Sequence, residues 1–270
     1  MKKDIKLVAI DLDGTLLNED KEIAKGNKEI IQKLHEKGLK IVLATGRPFN
    51  GFWWIRQELG LEGWEDYSIC NTGAFVRRNA DGKVLVDNAL DETDYEKITS
   101  YLVDEDLQIV VFTKDILYNN AEEVNEGFLT DQNVMKMPRQ KFETFDDIQE
   151  KVARVNFMGK EDELDKFYEA NKDRLEDEYM TMRNETYSLE VLKKSSGKGN
   201  SLKALCEHLN IDLSDVIYFG DGANDAEALK IAGIGVAMEN ASDEAKEVAD
   251  EVTKKNDEAG VAHFLKELLD

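Results

Sequence analysis

The stretch KLVAIDLDGTLLNED, residues 6–20, decides how the rest of the chain is read. An apolar run from Leu7 to Ile10 meets Asp11, and Asp13 follows with Gly14 and Thr15 behind it. A run that is apolar throughout, not at alternate positions, fits a strand buried on both faces, as in a parallel sheet. Open parallel sheets bind ligands outside the carboxyl ends of their strands, at a topological switch point. Two carboxylates at the end of such a strand therefore mark a candidate site.

The neighbouring segments fit that sheet. Ile23, Ile30, Ile31 and Leu34 share one 3.6-period face, which predicts a helix stopped at Gly38. LKIVLATGR (39–47) reads as a second buried strand, and Pro48 opens a helix with Phe52 and Ile55 inward. YSICNTGAFV (67–76) reads as a third strand with a turn at Gly73. Residues 1–83 thus alternate strand and helix, the pattern of a doubly wound parallel α/β sheet. From 84 to 189 the pattern changes. Strands are expected in GKVLVDNAL, LQIVVFT, ILYNN, RVNFMGK and YMTMRNETYSLEVL, with helices at 93–106 and 161–178. This mixture predicts an inserted α+β domain. Residues 190–270 return to the first rhythm. GNSLKALCEHLN is a helix, DVIYFG a buried strand ending at Asp221, NDAEALKIAG a short helix and IGVAM a strand. Val261, Phe264, Leu265 and Leu268 define a last helix.

Composition narrows the function. Charged residues make up 34% and hydrophobic residues 41% of the 270, and no apolar run reaches the length of a membrane span. The N-terminus makes a poor signal peptide. Cys70 and Cys206 sit in apolar contexts and read as reduced core residues, which points to a cytoplasmic protein. The expected assembly is a monomer or weak homo-oligomer. A formal net charge of −22 argues against nucleic acid and anionic membranes as partners. An anionic substrate would then need a local attraction: a metal ion, a lysine or backbone N–H groups.

The polar positions at the strand ends supply those groups. Asp11 ends the first strand, Thr45 and Gly46 end the second, and Asp221 ends VIYFG, with Asn224 and Asp225 close behind. Lys198 precedes a helix. Asp11 and Asp221 can share Mg²⁺, which favours one or two carboxylates plus waters and phosphate oxygens. An Asp11 oxygen can attack phosphorus, and Asp13 can give a proton to the leaving oxygen and later take one from water. Thr45, the Gly46 amide and Lys198 can bind phosphoryl oxygens. Each part has a plainer reading. Paired aspartates often only solvate a loop, Lys198 can be a surface residue, and ATGRP can be a simple strand-to-helix turn. The order of the parts and their shared place at strand ends favour phosphoryl transfer. Asn71 reads as a turn residue. His35, His208 and His263 read as structural or solvent-exposed residues without partners, and they form no zinc constellation. Trp53, Trp54, Phe49 and Phe52 read as packing residues.

At DLDGTLL, LATGRP, KGNSLKAL and GDGANDAEAL the chain resembles the haloacid dehalogenase-type phosphatases, Cof-like subfamily, with an inserted C2-type (IIB) cap. The tail from GVAMENASDEAKEV onward is similar as well. The resemblance implies a Mg²⁺-dependent phosphomonoester hydrolase acting on a small phosphorylated metabolite. Asp11 would be nucleophile and metal ligand. Asp13 would be general acid/base, contacting the metal through its backbone carbonyl. Thr45 and Lys198 would bind the phosphoryl group, Asp221 would complete the metal ligands, Asn224 would touch phosphate and Asp225 would support the site. NTGA stands at 71–74 where such proteins usually carry NGA. The alternatives are a phosphomutase with the same covalent chemistry, a non-enzymatic phospho-acceptor and an inactive binding protein. The phospho-acceptor fits poorly, because such receivers are shorter and need no acid/base two residues after the acceptor.

Overall fold

A computed structural model describes residues 4–24, 26–102 and 106–266. Its described residues fall into two compact units, one from Met1–Gly46, Trp53–Val86 and Gly197–Asp270, the other from Arg47–Phe52 and Asp87–Ser196. Patterning placed the insertion at 84–189. Strand periodicity marks a segment as a strand without saying which sheet it joins, so the segments 84–86 and 190–196 fall on the other side of each boundary.

The first unit opens with β1 (Leu7–Ile10), α1 (Asn27–Glu36), β2 (Lys40–Ala44), α2 (Trp53–Leu59), β3 (Tyr67–Cys70), β4 (Phe75–Arg78) and β5 (Val84–Asp87). The second unit continues with α3 (Glu92–Thr99), β6 (Gln108–Phe112), β7 (Leu117–Asn119), α4 (Glu126–Met135), β8 (Arg139–Lys141), β9 (Arg154–Met158), α5 (Glu161–Glu178), β10 (Tyr179–Glu185) and β11 (Ser188–Lys193). The chain then returns to the first unit with α6 (Lys198–Leu209), β12 (Val216–Gly220), α7 (Ala226–Ile231), β13 (Ile234–Ala237), α8 (Asp243–Val248), β14 (Glu251–Val252) and α9 (Gly260–Leu265).

The first unit's sheet runs β14-β13-β12-β1-β2-β3-β4-β5. It is parallel from β14 to β3, and β4 turns back antiparallel to β3. Every residue of β1 and β12 is buried, which is why both read as unbroken apolar runs. Chain order climbs from β1 toward β3 on one side and from β12 toward β14 on the other. The switch point therefore lies between β1 and β12, whose register pairs Ile10 with Phe219. That pairing brings the residues after the two strands, Asp11 and Asp221, to the same end of the sheet.

The second unit has a mixed sheet, β10-β11-β9-β6-β7-β8. One hydrophobic cluster joins Ile98 of α3 and Leu164, Phe167 and Leu175 of α5 to Val155, Phe157, Leu189 and Val191. A second joins Phe128 and Met135 of α4 to Val110, Phe112 and Met158. The alternation along β9 explains the division, because successive strand residues face opposite sides.

Several local expectations change. Ile23 precedes α1 and forms an isolated bridge with Leu17. Pro48 leads into a 3-10 turn, Phe49–Phe52, before α2, with Phe52 and Ile55 buried. His35 has a partner: its Nε2 lies 2.8 Å from Asp66 Oδ1. His208 meets the ring of Tyr67 edge-on. Residues 103–105 of the helix expected at 93–106, and Leu268 of the last helix, lie outside the described residues. Cys70 and Cys206 are free and buried, and burial pushes both thiols up to about 11. No helix among the described residues is long and apolar enough to cross a membrane.

Candidate active site

Asp11 follows β1 directly, and its N–H donates to Phe219 O of β12. The chain then coils on itself. Leu16 N–H donates to Asp11 O, and the N–H groups of Thr15 and Leu17 donate to Leu12 O. Gly14 has φ 77°, and a Cβ there would collide with the Asp221 carboxylate. Glycine supplies both the left-handed backbone and the close approach. Thr15 Oγ1 donates to Asp221 Oδ1 at 2.7 Å, tying the loop to the end of β12.

The carboxylates of Asp11, Asp221 and Asp225 offer oxygens that lie within 4.8 Å of one another. Lys198, the first residue of α6, places its Nζ 2.8 Å from Asp11 Oδ1 and 2.8 Å from Asp225 Oδ1. It is 1% exposed. Burial works against its charge, but Asp11 and Asp225 outweigh burial and raise its pKa. Burial likewise pushes the Asp11 carboxyl well above the usual range. Lys198 pulls it back, while Asp225 and Asp221 push it up. Asp221 is raised as well, mainly by burial and against the Thr15 hydroxyl. Three carboxylates against one ammonium leave this buried cluster two negative charges in excess when all are ionised, so its chemistry suits a divalent cation.

Asp225 has a different task from its two neighbours. Its Oδ1 accepts from Lys198 and, at 2.6 Å, from the Tyr218 hydroxyl. Its Oδ2 accepts from the N–H groups of Asp221 at 3.1 Å and Gly222 at 3.0 Å. With four donors on two oxygens, Asp225 has its acceptor capacity filled and braces the loop.

The other expected residues are less tightly gathered. Thr45 is buried after β2, and its backbone carbonyl accepts from Thr72 N–H. Thr72 O in turn accepts from Gly197 N–H, next to Lys198, so the 71–73 turn links the Thr45 and Lys198 loops. That turn is left-handed throughout, with φ 49°, 54° and 82° at Asn71, Thr72 and Gly73. A Cβ on Gly73 would collide with the Gly197 backbone. Asn71 is buried, and neither atom of its amide has a hydrogen-bond partner among the described residues. The Asp13 carboxylate lies 3.0 Å from Lys21 Nζ and is 38% exposed. Gly46 follows Thr45, and Asn224 lies half-buried in the 3-10 turn Ala223–Asp225. Sequence reasoning missed Thr15, Tyr218 and Lys21. The first two were visible as a hydroxyl four residues after Asp11 and a hydroxyl inside an otherwise apolar strand. Lys21 carried no signal.

A family profile described as haloacid dehalogenase-like hydrolase matches residues 8–265. Phosphatase YwpJ of Bacillus subtilis is 30% identical over 290 residues, covering 98% of this chain and 100% of that protein. The 5-amino-6-(5-phospho-D-ribitylamino)uracil phosphatase YwtE of the same organism is 28% identical, covering 98% of each. The crystal structure of a haloacid dehalogenase-like hydrolase from Bacteroides thetaiotaomicron superposes with a TM-score of 0.89 at 29% identity, covering 98% of this chain and 99% of that one.

Proposed function

Because this chain belongs to the haloacid dehalogenase-like hydrolases and is a phosphatase, we propose that it hydrolyses small phosphomonoesters through a phosphoryl group carried on Asp11, with Mg²⁺ as cofactor. One observation carries the reading. The buried Asp11 carboxylate stands beside Asp221 and is held by Lys198, which is itself fixed by Asp225.

In the first step an Asp11 carboxylate oxygen attacks phosphorus, and the bond from phosphorus to the leaving oxygen breaks. Asp13 gives that oxygen a proton, so an alcohol departs and not an alkoxide. In the second step Asp13 takes a proton from water as the water oxygen attacks the same phosphorus. The bond to Asp11 breaks and inorganic phosphate leaves. Lys198, Thr45, the Gly46 amide and Asn224 hold the phosphoryl oxygens and orient them for both attacks. Asp11 and Asp221, with the Asp13 carbonyl, would hold Mg²⁺, which offsets the charge of carboxylates and phosphate together. Lys21 Nζ lies 3.0 Å from the Asp13 carboxylate.

The relative that acts on a phosphoribityl-aminouracil supports a small metabolite as substrate. The test is turnover of a phosphomonoester panel in heavy-oxygen water with Mg²⁺. Solvent oxygen should enter the released phosphate. Phosphoryl transfer back to substrate without label would instead identify a mutase.

A further inference from the structure

The N–H groups of Thr15, Leu16 and Leu17 are satisfied within the catalytic loop, and three of its carbonyls are held from outside, each by an asparagine. Asn240 Nδ2 donates to Gly14 O at 2.8 Å, Asn27 Nδ2 to Leu16 O at 3.3 Å and Asn256 Nδ2 to Leu17 O at 2.9 Å. Two of the three come from the segment after β13, and they are joined to each other. Asn256 N–H donates to Asn240 Oδ1 at 3.0 Å. Asn27, on α1, is tied to the same segment, since its Oδ1 accepts from Ala262 N–H at 2.9 Å. Asp257 adds a fourth link by accepting from Glu19 N–H at 3.2 Å.

The link to Gly14 matters most. Its φ of 77° and its packing on the Asp221 carboxylate exclude a side chain. Glycine has little conformational preference of its own, so the orientation of its peptide has to be imposed by a partner. The peptides on either side of Gly14 carry the Asp13 carbonyl and the Thr15 N–H. Any rotation there displaces Asp13 and the Thr15 hydroxyl that holds Asp221.

We propose that Asn240 and Asn256 are positioning residues of the phosphoryl transfer, acting through the carbonyls of Gly14 and Leu17 to hold the Asp11–Asp13 loop in its working geometry. The inference rests on the reading that Asp11 and Asp13 do the chemistry. An amide suits the relay because it accepts on one side while donating on the other. A carboxylate at either position keeps the shape but sets two acceptors face to face.

The experiment uses the full chain with Mg²⁺ and p-nitrophenyl phosphate. Asn240→Ala, Asn240→Asp and Asn256→Asp are compared with Asp212→Ala, which removes a turn cap remote from the loop, and with Asp11→Asn. Each variant is followed by kcat, KM and thermal unfolding. Asn240 is exposed, so its variants should unfold close to wild type, with little change in KM. Their kcat should fall about ten- to a hundredfold, the size expected when a catalytic group is misplaced by about an ångström. Asn256→Asp should lower kcat as well, and Asn240→Asp combined with Asn256→Asp should lose less than the product of the single losses, because the two act in one relay. The inference is overturned if Asp11→Asn is inactive while the asparagine variants keep wild-type kcat, or lose only what Asp212→Ala loses. If Asp11→Asn stays active, the proposed chemistry itself falls.

Discussion

Replacing Asp225 with asparagine separates a brace from a metal ligand. Asp225 is fully buried and accepts four hydrogen bonds, two on each oxygen. Asparagine keeps one oxygen. If that oxygen stays with the Asp221 and Gly222 amides, the new NH₂ faces Lys198 and Tyr218. The Tyr218 hydroxyl can turn and accept, but Lys198 can only donate. Lys198 then keeps Asp11 as its carboxylate partner and meets a donor at close range. If the amide flips, two backbone N–H groups lose their acceptor. Either way a buried charge pair is broken, which costs about 3–5 kcal/mol. For a unit of this size that is roughly 6–20 °C in melting temperature. The assay is thermal and urea unfolding of metal-free protein, followed by a signal from the first unit. The opposite result is also physically coherent. Three clustered carboxylates repel, so if Asp225 were an unbraced ligand, removing its charge would stabilise the metal-free protein. A variant as stable as wild type, or more stable, would therefore refute the brace.

Other outcomes follow from the same geometry. Asp13→Asn should slow phosphorylation of the enzyme by an alkyl phosphate about 10²–10⁴-fold more than by an aryl phosphate whose phenol leaves without help. Equal slowing in single-turnover measurements would remove Asp13 as proton donor. Chelation of divalent cations should abolish turnover, and Mg²⁺ should restore it better than Ca²⁺, whose coordination is larger and looser. Full turnover after verified metal removal would contradict this. In the second unit, burial pushes Asp131 from 3.8 up to about 6, against the Tyr187 hydroxyl and Arg154. Folding therefore takes up a proton between those pH values, and stability is lost as pH rises through that window, by at most about 3 kcal/mol. Asp131→Asn should gain on wild type from pH 4 to pH 6 and hold a constant advantage above. A difference that is flat with pH would show that Asp131 is not strained by its charge.

The sheet of the first unit was legible because its strands are buried on both faces and end in chemistry. β1 and β12 announce themselves by an unbroken apolar run, and Asp11 and Asp221 mark where each stops. Helix α5 was legible to the residue because an 18-residue segment carries its apolar side chains at helical spacing. The elements that escaped bury too little to leave a pattern. Helix α4 buries two residues, Phe128 and Met135, seven apart. Helix α8 buries Ala245, and β8 is exposed along its length. The same limit applied at the site. Residue types and order pointed to Asp11, Lys198 and Asp221, but nothing in one dimension places Lys21 beside Asp13 or Asn240 beside Gly14. Those contacts are set by tertiary packing of segments whose spacing in sequence is arbitrary. The 71–73 turn lies between these cases. NTG signals a turn, yet the burial at Asn71 of an amide without a partner among the described residues has no sequence signature.

The central claim is a phosphoryl group on Asp11, and trapping it is the most direct test. Enzyme mixed with a turned-over phosphomonoester is quenched within one turnover, treated with borohydride and digested with trypsin. Borohydride reduces an acyl phosphate to the alcohol, so the peptide of residues 7–21 should carry homoserine in place of Asp11. The same peptide from enzyme without substrate should carry aspartate. Homoserine at Asp13, or an unmodified peptide 7–21 from enzyme caught in turnover, would contradict the account.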